Sequence, residues 1–183
     1  WNPTAMWNRD GLYGFAGSSA ESTQAGATAW VETAKAGDPV GTSVSVFEMS
    51  YLGQPKGGSF EVLIDNESKD IIDTTAPAIE MKFLRYKVTD GAHRLTVKVK
   101  KGKIRLFGVS VEREVTGVVV DGIGINALSA ITWWRMNEAF MAAGLAHRNY
   151  DLVLEQTGTN MWSPQKHPVL LTKVIEHWRS ALP

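Results

Sequence analysis

From Thr42 to Glu114 apolar and polar residues alternate with period two in five short runs, SVSVFEMSYL, GSFEVLIDN, EMKFLRYKV, HRLTVKVKK and KIRLFGVSVERE. Such alternation marks half-buried strands, and strands this short and closely spaced predict a β-sandwich. The turn signals GQPKGG, TDGAH and KKGK join the runs, because Gly, Pro and Asp suit tight reversals. In HRLTVKVK, Leu95, Val97 and Val99 take the core side while Thr96, Lys98 and Lys100 take the water side, so this sheet is solvated on one face. The alternation slips at Phe107-Gly108, which predicts a bulge. TAWVETA, within a first stretch rich in Trp, Gly, Ser and Ala, supplies a further strand. Residues 1–115 are therefore assigned to a β-sandwich module.

After Val115 the pattern changes. TGVVVD reads as a short buried strand, GIGIN as a loop, and ALSAITWWRMNEAFMAAGL as a helix with Ile131, Trp134, Met141 and Leu145 near one face. YDLVLEQ reads as a second buried strand and GTNMWSPQKHP as a second polar loop. VLLTKVIEHWRSALP closes the order as a helix striped by Leu171, Val174, Ile175, Trp178 and Leu182. Strand, helix, strand, helix predicts an α/β segment over 116–183. A right-handed crossover makes its two strands parallel and neighbouring. The loops that follow them then share one sheet edge, where open α/β sheets bind ligands. Two parallel strands do not make a stable sheet. The remaining strands are expected from the first forty residues, from another chain, or from segments missing from a fragment, and RSALP stops where a next strand would begin.

Composition narrows the functional classes. Apolar residues at 44% and charged residues at 21% exclude a disordered or collagen-like chain. Nineteen basic residues balance nineteen acidic ones, which argues against a general polyanion binder. Without cysteine there is no disulfide, thiolate nucleophile or Cys-based zinc site. No apolar run approaches the roughly 18 residues of a membrane-spanning helix. The N-terminus lacks the basic and apolar blocks of a signal peptide and starts without Met, so processing or trimming is expected.

Two loops carry the candidate chemistry. Gly122-Ile-Gly124-Ile-Asn-Ala127 stands between a predicted strand and helix and fits the dinucleotide pattern G-x-G-x-x-A. Glu155 stands where a ribose-binding acid is sought, but 28 residues beyond Ala127 rather than about 20. Glycines that only make a tight turn are the plainer reading, and no cofactor is assigned. In Gly158-Thr159-Asn160 the glycine permits a sharp turn and the amide of Asn160 offers two donors. Beside a backbone N–H of the first loop, that amide forms a donor pair suited to an oxyanion developing on an acyl carbonyl.

DGIGINALSA followed by DLVLEQTGTN resembles the second and third sequence blocks of the SGNH (GDSL-like) hydrolases, a flavodoxin-like α/β esterase family. The resemblance covers about residues 107–183 and implies a partial flavodoxin-like segment. It places Asn160 and the backbone at Ala127 and Gly124 in the oxyanion hole, with Ala127 where a glycine commonly stands and Met161 where an acid often follows. RLFGVSVERE leading into GVVVDGIGIN is similar to carbohydrate-active members with a jelly-roll module inserted before the second block. The fold expected overall is thus α+β, a jelly-roll, carbohydrate-binding-like module over 1–115 followed by the partial α/β segment. The resemblance implies an O-acetylesterase-like setting, with an acylated polysaccharide or peptidoglycan as substrate, at the cell envelope, in the periplasm or outside the cell.

The sequence has no G-D-S block and no D-x-x-H block, so the nucleophile and its Asp and His partners are not in this chain. Ser18, Ser19 and Ser110 read as surface hydroxyls, since none ends a buried strand that enters a helix. His93, His147, His167 and His177 have no metal-ligand spacing, and no metal site is assigned. Between Lys82 and Arg105 nine Lys or Arg face one acid, Asp90. That stretch reads as a solvated face, and without interleaved aromatics no nucleic acid is expected. Trp1, Trp7 and Trp30 offer a sugar-stacking platform or, more plainly, core. The leading expectation is part of a serine esterase that supplies oxyanion donors. The alternative is a non-catalytic carbohydrate-binding module with a structural α/β extension.

Overall fold

A computed structural model describes residues 1–5, 10–14, 16–122, 133–156 and 165–182. The chain folds as two compact units, one formed by Trp1–Pro3 with Ala20–Val120 and the other by Thr4–Ser19 with Asp121–Pro183. The division differs from a single cut near residue 115, because residues 4–19 belong with the later part of the chain.

Nine strands are described: β1 (Asn2–Ala5), β2 (Ser18–Ser22), β3 (Thr28–Glu32), β4 (Val44–Gly53), β5 (Ser59–Ile64), β6 (Glu67–Asp73), β7 (Glu80–Gly91), β8 (Arg94–Lys101) and β9 (Ile104–Glu112). They form a five-stranded sheet in the order β1-β2-β9-β4-β7 and a four-stranded sheet in the order β3-β8-β5-β6. The antiparallel pairs β5–β6, β4–β7, β3–β8 and β2–β9 nest around one another, which is jelly-roll connectivity. Phe47, Met49 and Tyr51 from the first sheet and Phe60, Val62, Leu95, Val97 and Val99 from the second are buried in one core. The rings of Tyr51 and Phe60 meet edge-to-face with centroids 5.4 Å apart, a favoured aromatic geometry.

The period-two reading holds in detail. Leu95, Val97 and Val99 are buried while Lys98 and Lys100 are exposed. The predicted bulge is present, since Ser50 pairs with Gly108 and Tyr51 with Leu106, leaving Phe107 as the extra residue. TAWVETA supplies β3.

The turn chemistry does more than reverse the chain. Thr74 Oγ1 accepts from the Gly58 N–H at 2.8 Å and donates to the Gly58 carbonyl at 3.0 Å. A Cβ added at Gly58 would stand 2.2 Å from the Lys101 carbonyl oxygen and 2.8 Å from the Gly102 carbonyl carbon. Backbone atoms cannot swing aside as a side-chain tip does. Gly58→Ala is expected to destabilise the sandwich by about 1–3 kcal/mol, as overpacking does, read as a lower denaturation midpoint at unchanged slope.

A charged latch joins two turns of the same module. His93 Nδ1 lies 2.6 Å from Asp65 Oδ2, and His93 Nε2 lies 2.7 Å from the Thr89 carbonyl oxygen. Both ring nitrogens face acceptors, so the doubly protonated ring satisfies both. The Arg94 N–H donates to Asp65 Oδ1 at 2.9 Å. The hydrogen bond to Asp65 holds the His93 pKa above its ordinary value, and the same bond holds Asp65 below its own. The histidine share of stability is therefore present below about pH 6.5 and lost as pH rises through the raised value. The aspartate share is present above about pH 3.9 and lost as pH falls through the lowered value. The chain is expected to melt higher at pH 5.5 than at pH 8, with a smaller difference in His93→Gln.

The second unit holds helices α1 (Glu138–Arg148) and α2 (His167–Ala181). Tyr13, Trp133, Met136, Met141, Leu145, Val174 and Trp178 bury one another in its core. The sequence predicts one long helix from Ala127, but the chain leaves helical geometry after Trp134 and starts again at Glu138. Asn137 is the reason: its side chain accepts from the Phe140 N–H at 3.2 Å, as an N-cap does. Its own N–H donates to the Gly11 carbonyl at 2.8 Å. Trp133 is buried and Trp134 partly exposed, the reverse of the predicted stripe.

The predicted strands TGVVVD and YDLVLEQ are corrected. Residues 118–120 and 152–156 carry no strand pairing, and a flavodoxin-like sheet is not seen among the described residues. Val118 is 91% and Leu154 84% exposed. Apolar runs of this kind become buried strands only when neighbours complete their ladder.

Candidate functional site

The assigned oxyanion residues Gly124, Ala127 and Asn160 lie outside the described residues, as do Gly158 and Thr159. The chain leading into each loop is described, and both approaches line one open cavity of about 120 Å³. Asp121 contributes from the end of TGVVVD and residues 152–155 from the end of YDLVLEQ. Trp133 and Trp178 form its aromatic wall, with ring centroids 5.5 Å apart at 87°. The indole N–H of Trp178 points to Met141 Sδ at 3.1 Å.

Asp121 accepts three hydrogen bonds at this cavity. Its Oδ2 accepts from Arg148 Nε at 3.1 Å, from Arg148 Nη2 at 2.8 Å and from the Tyr150 hydroxyl at 2.5 Å. The local chain path explains this convergence. α1 ends at Arg148, and Asn149 takes left-handed geometry with φ 50° while its N–H caps the Leu145 carbonyl. That reversal places Arg148 and Tyr150 on either side of one carboxylate, with the guanidinium 5.9 Å from the phenol ring centre. Burial first, and then the bond to Asp121, push the Tyr150 pKa up to about 12, so the phenol stays a donor at neutral pH. Glu155 keeps surface in water, yet desolvation raises its pKa, opposed by the nearby charge of His167.

The remaining sequence candidates separate. Ser18 and Ser19 lie on β2 and Ser110 on β9, and Ser19 is buried rather than a surface hydroxyl. His93 is spent in the turn latch, while His177 stacks on Trp134 with centroids 5.3 Å apart. Among the described residues no group of three His, Asp or Glu is placed to hold a metal. Folding brings most of the basic stretch into ion pairs. Lys82 pairs with Glu80, Arg85 with Glu48 and Glu114, Lys87 with Glu114, Arg94 with Glu32, Lys100 with Glu61, and Lys103 and Arg105 with Glu21. Apart from Glu80, which lies two residues from Lys82 on β7, these acids are distant in sequence from the cations they meet. Trp1 packs against the sandwich core, Trp7 lies outside the described residues, and Trp30 is 56% exposed. Trp30 pairs with Thr96 on the water-facing side of the four-stranded sheet, and the Arg94 guanidinium lies 3.9 Å from its ring centre.

No family model matches this chain, and no curated protein matches it. Several solved structures align with part of the chain. A family two carbohydrate esterase from Clostridium thermocellum in complex with cellohexaose is 12% identical, covering 50% of this chain and 26% of that one at a TM-score of 0.37. The catalytic domain of a GH87 alpha-1,3-glucanase in complex with tetrasaccharides is 10% identical, covering 79% and 31% at 0.44. A family 35 carbohydrate binding module from an environmental isolate is 11% identical, covering 50% and 74% at 0.32. This chain therefore spans about a quarter of the length of the esterase it matches.

Proposed function

We propose that this chain is part of a serine esterase acting on O-acyl esters of a polysaccharide or peptidoglycan, and that it supplies oxyanion donors. The observation that carries the reading is the meeting of two loop approaches, at Asp121 and at residues 152–155, around one cavity. An acyl carbonyl attacked by a serine gathers negative charge on its oxygen, and fixed N–H donors aimed at that point lower the barrier. The backbone N–H groups of Gly124 and Ala127 and the side-chain amide of Asn160 are the proposed donors. The serine, its histidine and its aspartate belong to segments outside this chain. No cofactor or metal is invoked, and a site at the cell envelope, in the periplasm or outside the cell fits such a substrate. The test is acetyl-ester hydrolysis by the intact protein carrying Asn160→Ala, where undiminished turnover would remove the role.

Trp30 favours a second reading, a carbohydrate-binding module. An indole 56% exposed on a sheet surface, with the Arg94 guanidinium 3.9 Å from its ring centre, offers a platform for the C–H face of a sugar ring where it meets water. Glycan binding that is lost in Trp30→Ala, with no ester hydrolysis by the intact protein, would favour this reading over the first.

A further inference from the structure

We infer that the outer face of the four-stranded sheet binds an acidic polysaccharide, with one sugar ring stacked on Trp30 and a uronate carboxylate meeting Lys98. The inference rests on the carbohydrate-binding reading and deepens it by naming the charge of the ligand. β3 is an edge strand of that sheet, so Trp30 stands at its open side. The pairing register carries a row of side chains across all four strands, Trp30, Thr96, Leu63 and Ser68. Neighbouring strands lie about 4.8 Å apart, so the row is about 14 Å long. Thr96 and Ser68 are short and Leu63 is half-buried, which makes the row a low track ending at a raised indole.

Charge decides which sugar suits this track. Of the nine cations between Lys82 and Arg105, seven meet acids in ion pairs. Lys98 and Lys101 make no ion pair among the described residues. Lys98 is exposed, on the same face of β8 as Thr96, and stands diagonal to Trp30. Diagonal neighbours lie about 7–8 Å apart, within reach of long side chains. Glu61 stands opposite Lys98, but its carboxylate is bonded by Lys100 at 3.2 Å. Arg94 takes the other diagonal, 3.9 Å from the indole centre and paired with Glu32. It screens one side of the ring, so the side toward Lys98 is the one a sugar can approach. A hexose there lays its C–H face on the indole and sets a carboxylate at its rim against the ammonium. A neutral glycan would leave Lys98 without a partner. A protein surface would need a broader apolar centre than one indole with Leu63 and Ile71 beside it.

The experiment titrates the full chain by calorimetry with oligogalacturonate and oligomannuronate, and with the methyl ester of each. The ester keeps the sugar and removes its charge. At least one of the acids is expected to bind about twofold to fivefold more tightly than its ester, the scale of one exposed ion pair. The gap should narrow at high salt, as a screened interaction does. Lys98→Ala is expected to erase the gap while leaving the affinity of the ester unchanged. Trp30→Ala is expected to weaken acid and ester alike by about tenfold or more, since the stacking surface is lost. If the wild-type chain binds ester as tightly as acid, or if Lys98→Ala keeps the gap, the acidic ligand is overturned. A loss in Trp30→Ala would then still leave the carbohydrate-binding reading standing. If no form binds, or if Trp30→Ala binds as the wild type does, that reading fails and takes the inference with it.

Discussion

Asn160→Ala in the intact protein is expected to cut turnover of an O-acetyl ester by about 10²–10³-fold, the usual effect of removing one oxyanion donor. KM should change little, because the ground-state carbonyl oxygen carries only part of the charge that the donor meets in the transition state. Truncation at the β-carbon removes the amide N–H donors and leaves nothing to replace them but water. The proposed backbone donors at Gly124 and Ala127 do not depend on that side chain, so on this proposal residual catalysis should stay well above the uncatalysed rate. Initial rates on 4-nitrophenyl acetate and on an acetylated glycan, with an unchanged melting curve, check the prediction. A loss confined to KM would mean that Asn160 holds substrate rather than charge.

Phe60→Ala is expected to destabilise the jelly roll by about 3–5 kcal/mol. Phe60 is fully buried on β5 and pairs with Val99 on one side and Ile72 on the other. Its ring also meets Tyr51 of the opposite sheet, so the substitution opens a cavity where the two layers close on each other. Domains of this size have about 5–15 kcal/mol of total stability, which makes the loss a large share. Urea unfolding should show a lower midpoint. Ile71→Ala is the control: Ile71 pairs with Glu61, one residue along from the Phe60–Ile72 pair, but is 64% exposed, so its change should lie within about 0.5 kcal/mol. Equal losses at the two positions would contradict the assignment of inner and outer faces.

How much of this was legible in the sequence depended on where each signal resided. Strands that bury one face announced themselves, as β8 did through Leu95, Val97 and Val99, and even the bulge at Phe107 showed as a slipped alternation. β6 did not, because ESKDIID is an edge strand exposed along nearly its whole length and has no alternation to read. The available signal was Asp65-Asn66, whose φ values of 52° and 69° are those of a tight hairpin turn. The helix break had a signal too, an Asn placed directly before Glu138, but an apolar stripe running through it masked the cap.

Other features were invisible for a physical reason. The charge excess between Lys82 and Arg105 is a property of the linear chain, while Glu21, Glu32, Glu48 and Glu61 reach it only through strand pairing. The crowding at Gly58 arises from a neighbouring hairpin, so GQPKGG could announce a turn but not the backbone packed against it. For the candidate site, the loops GIGIN and GTN stood out, while the bonded set Asp121, Arg148 and Tyr150 did not. Its members are spread over about thirty residues and match no spacing rule.

The discontinuous second unit has a consequence for modularity. The stretch between Ser19 and Asp121 departs through β2 and returns through β9, and these two strands are hydrogen-bonded to each other, Ser22 opposite Ile104. That pairing sets Ala20–Ser22 against Ile104–Leu106, so the long stretch between them closes on itself through strand hydrogen bonds, and the entropy of closing it is offset within the sandwich. The sandwich nevertheless draws on two separate stretches of chain, Trp1–Pro3 and Ala20–Val120, so removing the longer stretch alone would leave its first residues behind.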